Sequence, residues 1–539
     1  MRLRLGLVLL TALPLTVLPS FAAVAEPVVS DRVTDQYHPL AFDRQNLSGL
    51  FAARIRANIE GYLEPMGKSA TTVSDWGGYL DAAANSFDYT HDRTLGDTIT
   101  KVAQSVLAAS SGSRGNNRSQ LLGLLSYYRV TGDEAALSKC KRLGDAILAQ
   151  PAAPASIQSM VTLYRYSGDR RYFDYCQKLI QTLYPPNVTR PLAAANSEDE
   201  LSQLLGLVEF YRVDGDDAFL QAAITAWHQI VAGRLTATGT LSDAMGNPDS
   251  ACVTLHWMQL TLELFRITGE PQYADALEKT AYNQLLAEQD FKTGQVFTAV
   301  PLNGAKAAQP GNTCAISVSR GISMLPALVW GHYGHGIIVN FYTPGHATVR
   351  LHRGASVNLY EETTFPEGGE VLLHVEPDHK IRIPLLFPLR LRVPAWADTF
   401  TVTAGDQHYT GRRGQYLVIK RQWKRGDTVA IKIGMTVKLV PASTNDPTAK
   451  AIQRGPQILS LSKELNPQIG DFPAFSFPVE NVSQETVTSS PNGMQGDWQG
   501  DQLYRVEGRT KQPLVFLPFA DAKTYRTTFP SRVQSSALD

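Results

Sequence analysis

Between about residues 45 and 335 the chain repeats one short pattern four times: an apolar and aromatic helix end, then glycine, then an acidic or polar residue. The copies are LLSYYRVTGDEAAL (Leu124 to Leu137), VTLYRYSGDRRYF (Val161 to Phe173), LVEFYRVDGDDAFL (Leu207 to Leu220) and LELFRITGEPQYA (Leu262 to Ala274). Their glycines, Gly132, Gly168, Gly215 and Gly269, stand 36, 47 and 54 residues apart. Glycine suits the left-handed position that ends a helix, and the residue after it suits the start of the next. Repeats with two helices each predict a helical solenoid or a closed α/α barrel. Leu121, Leu122, Leu124, Leu125 and Tyr128 form one apolar helix face, and Leu201, Leu204, Leu205, Val208 and Tyr211 another. Stripes of this kind read as core.

Near residue 340 the apolar period changes from 3.6 to 2. ATVRLH, EVLLHVEP, LRLRVPAW, TFTVTAG and TVAIKIGM alternate between Gly, Pro and Asp boundaries and predict an antiparallel β-sandwich. From about 441 the chain is richer in Pro, Ser, Asn and Gln, with short strand candidates in QILSLS and PLVFLP. This end reads as a second β unit or a tail wrapped on the first.

With 539 residues and 43% hydrophobic side chains, the chain is too long for one core and too apolar for disorder. Its 50 basic and 50 acidic side chains balance, and no run of like charge offers a footprint for nucleic acid or an anionic membrane. Residues 1 to 25 carry Arg2 and Arg4, an apolar stretch and a small-residue end at Ala23-Val24-Ala25. This is the pattern of a secretory signal cut after Ala25, which predicts a periplasmic or secreted protein without a membrane span in its mature form. An uncleaved anchor is the competing reading, opposed by Pro14 and Pro19 within the apolar run.

The most informative block is CVTLHWMQLTLELFRITGEPQYADALEKTAYNQLL (Cys252 to Leu286), followed by NTCAISVSRGISMLP (Asn312 to Pro326). Together with LRLRVPAW, RQWKRGD (Arg421 to Asp427) and AIQRGP (Ala451 to Pro456), in this order, it resembles the β-L-arabinofuranosidase-like glycoside hydrolases. The resemblance covers roughly residues 28 to 460. It implies a multidomain α plus β chain, an (α/α)6 barrel followed by antiparallel β-sandwich units, with a sugar pocket at one barrel end. The expected divisions are a signal at 1–25, an N-terminal strand segment joining the sandwich at 26–44, the barrel at 45–338, a β-sandwich at 339–440 and a second β unit or tail at 441–539.

The resemblance also implies chemistry: a cysteine nucleophile from an adjacent pair, a zinc bound by three cysteines and a glutamate, and a separate glutamate as acid/base. A metal-held thiolate stays deprotonated and positioned for attack. Carried over residue by residue, the pattern departs from the family. The Glu-x-Cys pair falls on Ser250-Ala251-Cys252, and the double cysteine on Thr313-Cys314, so Thr313 holds the nucleophile position. The acid/base falls on Met245, with Asp243 and Asp249 the acids nearby. Cys252 and Cys314 are thus remnant metal positions. No cofactor is expected, zinc being the one considered, with His256 or Asp249 as conceivable extra ligands. In an oxidising compartment the two cysteines pair or stay as buried thiols; the second reading is preferred. Cys140 and Cys176 each lie eight residues after a repeat glycine and read as core thiols.

If catalysis survives, two carboxylates are the simplest replacement, one acid and one base or nucleophile. Asp243 and Asp249 are the catalytic candidates, and Asp81 and the SEDE cluster (Ser197 to Glu200) are further acids. A solvated loop or helix cap is the plainer reading of each. Trp76, Asp81, His256, Tyr282 and Arg320 are the candidate sugar contacts, Trp76 and Tyr282 by stacking, a role that Tyr79 and Trp257 also suit, although aromatics at helical spacing usually pack in cores. No histidine lies between His91 and His228, where the resemblance implies several sugar-holding ones, which points to a different sugar or none. Three functions compete: a glycoside hydrolase with an altered mechanism acting on a polysaccharide or oligosaccharide, a non-catalytic carbohydrate-binding descendant, and a polysaccharide lyase using Tyr79, His256 and Arg320. The hydrolase is preferred.

Overall fold

The computed structural model describes residues 25–69, 75–108, 117–151, 153–184, 197–243, 245–290, 292–309, 313–351, 354–381, 383–446, 448–472, 483–487, 503–507 and 514–530. Apart from Ala25, the expected signal segment lies outside these. Among the described residues, twelve helices build the barrel. Six are inner: α2 (Trp76–Thr90), α4 (Asn117–Thr131), α6 (Ile157–Ser167), α8 (Ser197–Asp214), α10 (Ala251–Thr268) and α12 (Ala315–Ser323). They pack neighbour to neighbour, and α12 closes on α2. The outer helices are α1 (Gly49–Asn58), α3 (Arg93–Ala108), α5 (Glu134–Leu148), α7 (Arg170–Leu183), α9 (Asp217–Gly233) and α11 (Pro271–Thr280).

The repeat works as its residues require. Gly132, Gly168, Gly215 and Gly269 all have φ between +67° and +82°, which a side chain would strain. Asp133, Asp169 and Asp216 then cap the outer helices through backbone N–H bonds of Ala135, Arg171 and Ala218. Inner helices approach closely where they carry glycine: a Cβ on Gly123 would stand 2.1 Å from the Gly77 carbonyl oxygen.

The arginine three residues before each repeat glycine has a second role. The N-terminal segment runs across the C-terminal ends of the inner helices, and its amides donate to these arginine carbonyls. Ala25 donates to Arg129, Val29 to Arg165, Arg32 to Arg212, and Gln36 and Tyr37 to Arg266, at 2.8–3.0 Å. Helix ends leave such carbonyls without an intrahelical partner, so this strap seals one end of the barrel. Its acids pair with the same arginines: Asp31 with Arg165, and Asp35 with both Arg212 and Arg266.

Two sheets form the sandwich. One has the order β1 (His38–Pro39), β3 (Trp330–Tyr333), β4 (Gly336–Val339), β8 (Leu385–Val393), β11 (Gln415–Trp423), with β4 and β8 parallel. The other runs β10 (Gln407–Thr410), β9 (Phe400–Ala404), β12 (Asp427–Ile433), β7 (Glu370–Pro377), β6 (Ser356–Thr363), β5 (Gly345–Arg350), β2 (Gln45–Leu47). The N-terminal segment thus adds a strand to each sheet, and β3 and β4 begin inside the stretch assigned to the barrel from sequence. Alternation along β7 and β12 buries Val371, Leu373, Val375, Val429 and Ile431. A third sheet follows from β13 (Val437–Pro441) through β14 (Ala449–Arg454) and β15 (Gln457–Ser462), continuing with β18 (Leu514–Pro518), β17 (Leu503–Glu507) and β16 (Ser483–Val487).

Barrel and sandwich join through Arg392 on β8. Fully buried, it donates to Asp275 and Glu278 on α11 and to the Asn340 carbonyl. Tyr282 belongs to this junction. It is buried, packs on Phe51 with ring centroids 5.0 Å apart, and donates its hydroxyl to the Tyr342 carbonyl. Asn283 spans to the third sheet, donating to the Pro456 carbonyl and accepting from the Ile458 amide. Both therefore do packing work, and Tyr282, expected among the sugar contacts, is not one of the residues that line the cavity described below.

Candidate active site

Opposite the strap, the N-terminal ends of the inner helices surround a cavity of about 330 Å³. Each helix contributes from its first turns: Asp75 and Trp76 at α2, Arg118 and Ser119 at α4, Gln158 at α6, Glu198 and Ser202 at α8, Cys252 and His256 at α10, Ser317 and Arg320 at α12. Helix N-termini carry partial positive charge and unsatisfied N–H groups, so carboxylates are well placed here.

Asp75 caps α2, its Oδ1 accepting from the Gly78 amide at 3.1 Å and the Ser119 hydroxyl at 2.6 Å. Asp81, one turn deeper, accepts from Ser126 at 2.6 Å and from Arg320 Nε at 2.7 Å. Asp81 therefore anchors Arg320. His256 Nδ1 lies 2.8 Å from the Cys252 carbonyl oxygen. A carbonyl only accepts, so Nδ1 holds the hydrogen and Nε2 is the ring's acceptor. Burial, then Arg320 and Arg118, lowers its pKa to about 4, so His256 is neutral at physiological pH.

Glu198 is the pocket carboxyl with a raised pKa. Burial is the main cause, with the negative charges of Asp199 and Asp249 adding to it and Arg118 and Arg320 opposing it. Its place has a repeat logic, since Glu198 and Cys252 each lie 17 residues before their repeat glycines, Gly215 and Gly269. Each is the second residue of its inner helix.

Cys252 and Cys314 form a disulfide, which corrects the preference for buried thiols. Ser317 donates to the Cys252 sulfur at 3.5 Å. The pairing follows from placement: Cys252 opens α10 and Cys314 immediately precedes α12, and these helices are ring neighbours. The Glu198 carboxylate and both sulfurs lie within 4.8 Å of one another. A zinc held by three cysteines and a glutamate does not fit these residues. The two sulfurs are bonded to each other, and the positions where the resemblance would put the glutamate and the third cysteine hold Ser250 and Thr313. Cys140 and Cys176 are buried free thiols, donating to the Leu121 and Ile157 carbonyls.

Of the residues singled out from sequence, the pocket gathers Trp76, Asp81, Glu198 of the SEDE cluster, Cys252, His256, Thr313 and Arg320. Asp249 stands near enough to raise Glu198, and its Oδ1 accepts from the Ser250 amide at 2.7 Å. Asp243 closes a turn, its Oδ1 accepting from the Met245 and Asn247 amides at 2.9 Å each, and is not among the lining residues. Met245 is 83% exposed. Sequence reasoning missed Asp75, Arg118 and Gln158. Leu122, assigned to a core face, also lines the cavity. The signal available was position, counted back from each repeat glycine to the helix start.

Residues 116–322 match the family described as "Beta-L-arabinofuranosidase, GH127 catalytic domain", and residues 336–435 its "GH127 middle domain". A "Non-reducing end beta-L-arabinofuranosidase" of Bifidobacterium longum subsp. longum is 21% identical over 431 residues, 64% of each chain. This chain therefore spans just under two thirds of that relative. Among solved structures, a GH127 β-arabinofuranosidase superposes with TM-score 0.74 at 17% identity, covering 92% of this chain and 98% of its own. A GH127 β-L-arabinofuranosidase from Geobacillus stearothermophilus T6 gives 0.71 at 15%, covering 90% and 99%. These likenesses establish the fold. Among the described residues no helix is long and apolar enough to cross a membrane.

Proposed function

The chain belongs to the GH127 β-L-arabinofuranosidase family, and from that premise we propose that it is a secreted glycoside hydrolase that cleaves a polysaccharide or oligosaccharide with carboxylates in place of the thiolate. The single observation that carries the reading is Glu198, a pocket carboxyl raised by burial and set beside the cross-linked Cys252 and Cys314. A thiol bound in a disulfide is no nucleophile, and Thr313 has no thiolate to offer.

In this mechanism Glu198 is the acid that gives a proton to the leaving glycosidic oxygen. Asp249, whose charge helps Glu198 keep that proton, takes the proton of the attacking water. Glycosidic cleavage requires two carboxyls, one as acid and one as base or nucleophile. Arg320, held by Asp81, and neutral His256 through Nε2 supply a donor and an acceptor for sugar hydroxyls. Trp76 supplies an apolar face. The disulfide accords with an oxidising compartment, as the secretory signal implies.

A screen of plant, algal and bacterial glycans with the mature protein tests the reading. Glu198→Gln should lower turnover by roughly 10²- to 10⁴-fold, and Asp243→Asn should leave it within a fewfold. Binding without turnover in the wild type would favour a carbohydrate-binding descendant, a reading supported by the same paired cysteines and Thr313.

A further inference from the structure

We infer that the Cys252–Cys314 disulfide has taken over the mechanical task of a metal clip, tying α10 to the turn that enters α12. The inference deepens the reading above, in which the two thiols take no part in cleavage. The cross-link itself is a separate claim with separate readouts.

The argument starts from donor counting. A closed structural zinc site takes four ligands, with thiolates among them. Here Glu198 and the two cysteines are the group that converges, with all three ligand atoms within 4.8 Å. The flanking positions are Ser250 and Thr313, whose hydroxyls are poor zinc ligands at neutral pH. The sulfurs have spent their bonding on each other, so metal and disulfide exclude one another at this place.

The cross-link does the same holding. It joins residues 62 apart in sequence, across neighbouring inner helices, at the wall of the pocket. Closing a loop of that length in the unfolded chain changes the unfolding equilibrium by up to about a thousandfold. α12 is the shortest of the inner helices, nine residues, and it carries Arg320 and Ser317 into the pocket. A covalent tie at its entrance sets where those side chains stand.

The test uses the mature protein purified without reductant, with zinc measured by elemental analysis and thiols titrated before and after denaturation. The expected result is less than a tenth of an equivalent of zinc and two thiols, Cys140 and Cys176, reactive only after denaturation. A chelator should leave the unfolding midpoint in place. A dithiol reductant should lower it, passing two electrons and two protons to the disulfide and leaving two thiols and its own cyclic disulfide. Cys252→Ser/Cys314→Ser should unfold at the midpoint of the reduced wild type. One equivalent of zinc with four titratable thiols would overturn the inference, as would a midpoint lowered by chelator and indifferent to reductant. None of these readouts depends on turnover, so a failed glycan screen leaves them standing, and a metal-bound protein would defeat this inference whether or not it cleaves glycans.

Discussion

Asp35→Ala tests whether the N-terminal strap holds the barrel. Asp35 is 8% exposed and accepts from two arginines, Arg212 through Oδ1 and Arg266 through Oδ2 at 2.9–3.0 Å. Arg212 is 1% exposed, so its charge has little water to fall back on. Removing one partner of a buried pair costs about 3–5 kcal/mol. The lower end applies, because Glu263 still accepts from Arg212 at 2.6 Å and from Arg266 at 2.9 Å. The estimate is about 3 kcal/mol, roughly a hundredfold in the unfolding equilibrium. Asp31→Ala is the built-in control: its pair with Arg165 is part-exposed on both sides and should contribute less than about 1 kcal/mol. Urea unfolding followed by far-UV circular dichroism measures both, and limited proteolysis ahead of the transition reports release of the strap. Equal, small changes for Asp31→Ala and Asp35→Ala would refute the idea that burial at Arg212 makes this contact costly to lose.

Glu288 is buried, accepts from Thr254 and Gln284 at Oε1, and burial raises its pKa to about 8. The folded chain therefore holds this proton more tightly than the unfolded one, whose glutamate titrates near about 4.3. Its contribution is fully present below that value and is lost as pH rises toward 8. Glu288→Gln, which keeps the acceptor, should flatten stability across that window in a pH series of melts; an unchanged slope would refute it. Gly77→Ala places a methyl 2.0 Å from the Ser119 carbonyl oxygen and should cost about 1–3 kcal/mol or more by forcing α2 from α4, read as a lower unfolding midpoint and failing if the midpoint holds. Once a substrate is found, Trp76→Ala should raise KM more than it lowers kcat, and the reverse split would remove Trp76 from the sugar-binding role.

The barrel was legible because its signal is periodic. The four repeat glycines occupy one conformational role, which only glycine fills without strain, and the acid after three of them caps the next helix. Strand alternation beyond residue 340 was equally plain, since a sheet with one buried face imposes a period of two. The site was legible in part. Trp76, Asp81, Glu198, His256 and Arg320 reached the pocket, whereas Tyr282 went to the barrel–sandwich junction. An aromatic in a helix carries the same letter whether it faces a core or a cavity.

What the sequence determined by itself was the set of elements and their order; the departures from the family's cysteine chemistry at Ser250, Thr313 and Met245 are what the resemblance implies. Only the tertiary structure decided which survivors meet. Closing the ring of six helices brings the start of α8 beside the starts of α10 and α12, so Glu198 lies against Cys252 and Cys314, residues 54 and 116 positions away. It also lays the N-terminal segment across four helix ends, where amides with no strand partner satisfy carbonyls with no helical one. Both are contacts at long sequence separation. Local propensity is blind to them, because the free energy that selects them comes from burial and hydrogen-bond satisfaction in the assembled barrel.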